Sequence, residues 1–186
     1  MKILTFDIAI KTGWCFGEIG GKLVGGTKRH AVSGAGHDVV FGKAMIWIAD
    51  LINVYRPDRV GYEFNQGTIA GKQQRGQTTI DVIKVHCGLR ALILGVCHSM
   101  SVEAHEVSAS EAASSFLGPN KFKVKGDSKE PVKHECRVRG LPFDDDNHAD
   151  ALALWHQQAF LVDPDFAARD AVARMMIRNP SLGGRA

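Results

Sequence analysis

Three carboxylates lie inside runs that ought to be buried, and their placement limits the folds open to this chain more than any other feature. Asp7 separates Ile3-Leu4-Thr5-Phe6 from Ile8-Ala9-Ile10, and Glu63 closes Val60-Gly61-Tyr62. Asp150 is set in Ala149-Asp150-Ala151-Leu152-Ala153-Leu154-Trp155. A buried ionised carboxylate costs several kcal/mol unless a charge or hydrogen-bond donors compensate it. One such acid alone can cap a turn, pair with a lysine or face solvent at a helix edge. Three in one small domain point to a shared compensation, and a hard divalent cation with oxygen ligands is the economical candidate. The fold then has to bring two strands and a late helix to one point.

The hydrophobic pattern supplies those elements. Residues 2–8 read as a largely buried strand, 13–19 as a second, and Gly20-Gly21 as a hairpin into a third near 22–27. From Gly36 the period becomes helical, with Val39, Val40, Ala44, Ile48, Leu51, Ile52 and Tyr55 recurring at three and four until Pro57 stops it. A short strand follows at 58–64, then a polar Gly-rich stretch at 65–78 that reads as a surface loop. A long apolar helix at 80–97 and a strand at 101–107 come next, and Ser108 with Glu111 forms an S-x-x-E helix start. Helices at 131–139 and 146–161 complete an α/β domain over 1–162, in which three antiparallel strands and two parallel additions make a mixed five-stranded sheet covered on both faces. The remainder, 163–186, reads as a tail, helical over 166–178 and disordered beyond.

At 186 residues, 45% hydrophobic and 23% charged, the chain has the composition of a globular domain, not of a disordered or disulfide-stapled one. Its longest apolar run, Ala91 to Cys97, is far short of the roughly 20 residues of a membrane span. The Met1-Lys2-Ile3 start has no signal-peptide layout. A soluble, cytoplasmic protein with no membrane partner is expected. The four cysteines and eight histidines show no zinc spacing, so the cysteines read as small hydrophobes. Net charge is only +3, yet seven Lys and Arg stand against three acids between Gly118 and Gly140. That local surplus exceeds the charge of the whole protein, as a phosphate-binding surface requires.

The residues ahead of Asp150 add to the candidate site. Positions three and four back on a helix share its face, which selects Asn147 and Asp146. Asp144 and Asp145 read as N-terminal caps, whereas Asp146 fits capping and metal ligation equally.

Taken in order, Phe6-Asp7, Thr12-Gly13-Trp14, Tyr62-Glu63, Lys129 and Asn147-His148-Ala149-Asp150-Ala151-Leu152-Ala153 resemble the RuvC family of Holliday junction resolvases. This family belongs to the RNase H-like nuclease superfamily, and the likeness is to its divergent phage and prophage-type members, over residues 1–161. The resemblance implies an RNase H-like fold and two Mg²⁺ ions per site, with Mn²⁺ as a substitute. Asp7, Glu63 and Asp150 carry over as metal ligands and catalytic residues. Lys129 carries over as the catalytic lysine that stabilises charge near the phosphate. The fourth ligand, an acid or histidine in the family, falls on Asn147, so that Asp146 or His148 is a possible stand-in. Ile8-Ala9 replaces the Pro-Gly often found after the first acid. Phe64 is the only aromatic near the place where the family carries a junction-wedging ring.

By the same resemblance the chain is a Mg²⁺-dependent, structure-selective endonuclease acting on branched DNA, above all four-way junctions, as a symmetric homodimer. Lys72, Arg75, Lys121, Lys123, Lys125 and Lys133 would neutralise flanking phosphates. The helix at 80–97 offers a dimer surface, with plain core burial as the competing reading. A broader branched or flap nuclease uses the same acids, and an inactive DNA-binding module of the same fold accounts for Asn147. A sugar-kinase or actin-like phosphotransferase needs two related domains, which 186 residues without a duplicated hairpin do not supply.

Overall fold

The structure is a computed structural model and describes residues 1–63, 79–118 and 129–179. Five strands, β1 (Lys2–Asp7), β2 (Lys11–Glu18), β3 (Val24–Arg29), β4 (Arg59–Glu63) and β5 (Glu103–Val107), form one open sheet in the order β3-β2-β1-β4-β5. The first three are antiparallel neighbours, and β4 and β5 add in parallel to β1. Among the described residues six helices flank them: α1 (His37–Tyr55), α2 (Ile80–Ser99), α3 (Ala109–Leu117), α4 (Glu130–Val138), α5 (Asp146–Val162) and α6 (Pro164–Arg178). The α/β class and the mixed sheet are as the sequence predicts. β3 begins two residues later than expected, because the chain spends residues 19–23 on a turn around Gly20, whose φ is +81°.

Each face of the sheet has its own core. Leu4, Phe6, Val60 and Tyr62 pack against Val40, Ala44, Ile48 and Ile52 of α1 and Val85, Leu89, Ile93 and Cys97 of α2. Ile3 and Cys15, pointing the other way, meet Ala151, Leu152 and Trp155 of α5, Phe116 of α3 and Cys136 of α4. Alternation along β1 feeds both cores at once. The inner side of α2 is thus core, which was the alternative to a dimer surface. α1 stops where Arg56 turns left-handed at a φ of +48° and Pro57 forbids another turn. Ser108 caps α3 as predicted, its hydroxyl accepting from the Glu111 amide at 3.2 Å. All four cysteines are free, with Cys15, Cys97 and Cys136 buried and Cys87 exposed. No helix among the described residues is long and apolar enough to cross a membrane.

The tail helix α6 is fastened by charge. None of its residues is fully buried, but Phe166 packs beside Trp155, and Arg139 of α4 reaches Asp170 at 2.9 Å. Glu135, only 1% exposed, accepts from Arg139 at 2.9 Å and from Arg178 at 2.5 Å. The tail arginines Arg174 and Arg178 are therefore engaged within the chain, Arg174 lying 3.0 Å from Asp170. Removing one partner of a buried ion pair leaves the other charge stranded at a cost of about 3–5 kcal/mol. Glu135→Ala leaves Arg139 its bonds to Asp170 and the Phe116 carbonyl, so a smaller loss of about 1.5–3 kcal/mol is expected. Chemical denaturation reads it, and a change within 1 kcal/mol would show the network to be superficial.

Candidate active site

The site forms where β1 and β4 end together. The two strands are parallel and Phe6 pairs with Tyr62, so the next residues, Asp7 and Glu63, stand on neighbouring strands about 4.8 Å apart. α5 crosses the same face. The Thr5 hydroxyl donates to the Ala151 carbonyl at 2.8 Å, and the Trp155 indole donates to the Gly17 carbonyl at 3.3 Å. Ala149, Ala151 and Ala153 keep the helix close to the sheet, and Gly13 lets it in: a Cβ there would lie 1.9 Å from the Asn147 carbonyl oxygen. These contacts bring Asp150 to the two strand acids.

Lys129, just ahead of α4, completes the group by donating to Asp150 Oδ2 at 2.7 Å. Asp7, Glu63, Lys129 and Asp150 line one cleft of about 400 Å³, walled by Val132 of α4 and by Ala109 and Ser110 of α3. The first turn of α3 directs its amide dipoles towards this region. No signal in the sequence beyond the capping box marks that wall.

The acids outnumber the cation, and the electrostatics reflect it. Burial raises the Asp7 carboxyl well above the usual range, and the charges of Glu63 and Asp150 raise it further, with Lys129 opposing. A hydrogen bond with Glu63 adds to the rise. Burial also raises Asp150, although the Lys129 contact holds it down. Burial works against the Lys129 charge, but the bond to Asp150 and the charges of Asp150, Asp7 and Asp146 outweigh it and lift its pKa. The donor set is all carboxylate oxygen and under-neutralised, which suits a hard cation. Among the described residues no group of three or more His, Cys, Asp or Glu side chains is closed up to hold a metal ion.

No protein-family model matches the chain, and no curated protein matches it. Solved structures do. The Thermus thermophilus RuvC structure superposes with a TM-score of 0.65 at 17% identity, over 92% of this chain and 97% of that one. T. thermophilus RuvC in complex with Holliday junction substrate gives 0.63 at 14% identity, over 87% and 94%. The yeast mitochondrial Holliday junction resolvase Ydc2 gives 0.61 at 11%, over 95% and 82%.

The fold is RuvC-like. Identities this low carry the backbone arrangement, and the side chains of this RuvC-like domain have to be located one by one. Asp7, Glu63, Asp150 and Lys129 meet in the cleft. Asn147 does not turn to it: its amide nitrogen donates to the Lys11 carbonyl at 2.8 Å, at the start of β2. His148 is buried under β3, its Nδ1 accepting from the Asp144 amide at 3.2 Å. Burial lowers its pKa, with Asp144 and Asp145 opposing. Asp145 caps α5, accepting from the His148 amide at 3.1 Å, and also pairs with Lys11. Asp146 lies towards the cleft, 3.2 Å from Lys133, and its charge acts on both Asp150 and Lys129.

The basic segment is quieter than its composition suggests. Lys133 bridges Glu130 and Asp146, each at 3.2 Å, and Arg137 pairs with Glu130 at 2.7 Å. Among the described residues its cations are matched by acids. Lys72, Arg75, Lys121, Lys123, Lys125 and Phe64 lie outside the described residues.

Proposed function

We propose that the chain is a divalent-metal-dependent, structure-selective DNA endonuclease that resolves four-way junctions. The observation that carries this is the convergence of Asp7, Glu63 and Asp150, from two parallel strand ends and a crossing helix, beside Lys129 on a RuvC-like fold. The printed substrate of a structural neighbour, a Holliday junction, supports branched DNA as the partner.

Asp7, Glu63 and Asp150 would hold the metal, with Asp146 as the fourth acid in place of Asn147 or His148. Two Mg²⁺ ions, or Mn²⁺, supply an activated water and stabilise the leaving oxygen of a phosphodiester. Everything else is done by the chain itself. Asp7, which feels the charges of both Glu63 and Asp150, would be the acid on which holding the metal depends most. Lys129, which donates to Asp150, would set its ammonium near the phosphate and stabilise the charge developing there. The products carry 5′-phosphate and 3′-hydroxyl ends. Two symmetric cuts in a junction call for a homodimer. Lys72, Arg75, Lys121, Lys123 and Lys125 are proposed to neutralise flanking phosphates, which makes binding weaken steeply with salt, whereas Lys133 is held between Glu130 and Asp146.

The test is cleavage of a labelled four-way junction, a fork and a linear duplex in Mg²⁺ by the wild type and Asp150→Asn. Paired symmetric nicks in the junction alone, lost at least a hundredfold in the variant, are expected. Fork cleavage at an equal rate would make the protein a broader branched-DNA nuclease, and binding without cleavage in Mg²⁺ or Mn²⁺ would make it an inactive module.

A further inference from the structure

Two lysines at the start of α4 meet the two aspartates of α5. Lys129 and Lys133 stand one turn apart, the Lys133 amide donating to the Lys129 carbonyl at 3.3 Å, and Asp146 and Asp150 are one turn apart on α5. Lys129 donates to Asp150 at 2.7 Å, and Lys133 lies 3.2 Å from Asp146. Each carboxylate that α5 can offer to a cation is thus already engaged by an ammonium. The cleft shows the result: Asp150 lines it together with Asp7 and Glu63, whereas Asp146 stands beside it and is no part of its wall.

Lys133 differs from Lys129 in having a second acid on its own helix. Glu130 lies 3.2 Å from it and also takes Arg137 at 2.7 Å. Breaking a part-buried ion pair is costly when it strands a charge. Here it strands none, because Glu130 keeps Lys133 paired if Asp146 turns away. The side chains of Lys133 and Asp146 are 18% and 49% exposed, against 6% and 1% for Arg139 and Glu135 of the tail network. The Lys133–Asp146 pair is therefore built to open at small cost, and the tail network is not.

We propose that Lys133 competes with a divalent cation for Asp146, holding this fourth acid beside the cleft until the cation takes it over. The inference rests on the metal-dependent nuclease reading above and sets how strongly the free protein takes up metal. Two effects of Lys133 oppose uptake: it occupies a carboxylate of the donor set, and its own charge repels a dication nearby. Weak metal binding by the protein alone follows, together with acids that stay balanced when no metal is bound.

Titration of the full chain with Mn²⁺ in the absence of DNA, followed by the EPR signal of free Mn²⁺, tests this. Lys133→Gln is expected to bind Mn²⁺ about tenfold more tightly than the wild type. In an Asp146→Asn background the same substitution is expected to bring no gain, since the contested carboxylate is gone. Arg137→Gln removes an equal charge from the same helix but one whose contact is with Glu130, and is expected to stay within twofold of the wild type. Lys133→Met repeats the comparison should the Gln variant fail to fold. The proposal is overturned if the Lys133 variants bind Mn²⁺ no more tightly than the wild type, if the gain survives Asp146→Asn, or if Arg137→Gln reproduces it. Junction cleavage by the wild type is read in parallel. A wild type that cuts no junction sinks the nuclease reading, while the titrations judge the competition for Asp146 separately.

Discussion

Asp7→Asn is expected to abolish junction cleavage while making the metal-free protein more stable. The two effects share a cause. Asp7 is a carboxyl placed against Glu63 and Asp150, and among the described residues Lys129 is the cation that opposes them. Removing its charge would take away one of the proposed metal ligands, and the expected loss of roughly 10³-fold or more corresponds to about 4 kcal/mol of transition-state stabilisation. The same change relieves burial and repulsion, and a gain of about 1–3 kcal/mol is expected when a poorly compensated buried charge becomes neutral. The pH dependence follows from the raised Asp7 pKa. A group whose folded pKa lies above its unfolded value favours folding fully below the unfolded pKa, near 3.9, and loses that contribution as pH rises through the folded value. In EDTA the wild-type melting temperature should therefore fall between about pH 4 and neutrality more steeply than that of Asp7→Asn. Calorimetry across that window with parallel cleavage assays checks both halves. A variant that cleaves normally, or that is less stable at pH 7, would remove Asp7 from the role given to it.

The second large effect is expected at a residue with no side chain. Gly13→Ala places a methyl group 1.9 Å from the Asn147 carbonyl oxygen and 2.3 Å from its carbon, so backbone must move. A loss of about 3 kcal/mol, the upper end for overpacking, is expected. At about 2–4 °C per kcal/mol this lowers the melting temperature by several degrees. The displaced element is the first turn of α5, which carries Asp146 and leads into Asp150. A misplacement of about 1 Å there costs on the order of 10²-fold in rate even where the protein is folded. Gly42→Ala on α1, where nothing lies within 4 Å of the added carbon, is the control. Equal behaviour of the two variants in melting and cleavage would show that α5 has slack at this contact.

Much of the site was legible in the chain because its acids contradict their surroundings: Asp7 and Asp150 are the polar residues in otherwise apolar runs. The parallel strand ends followed from the alternation of strand and helix after α1. The fourth position was not legible. On a helix of 3.6 residues per turn, the residue four back from Asp150 lies about 40° to one side and the residue three back about 60° to the other. Spacing alone leaves both open, and the tertiary fold decides: Asp146 turns to Lys133 and Asn147 to the Lys11 carbonyl.

The acids come from the beginning, the first third and the last quarter of the chain, and the bond from Thr5 to Ala151 spans 146 residues. On the ribosome, at about 5–20 residues per second, Asp7 emerges many seconds before the helix that faces it. Until then Ile3 and Cys15 lack the cover that Ala151, Leu152 and Trp155 give them, and the strand acids have no Asp150 beside them. Until α5 is made the three acids cannot meet, and the nuclease activity proposed above would be absent from the nascent chain. The docking of α5 both covers this face of the sheet and completes the cleft, so the core and the candidate site are finished by one late element.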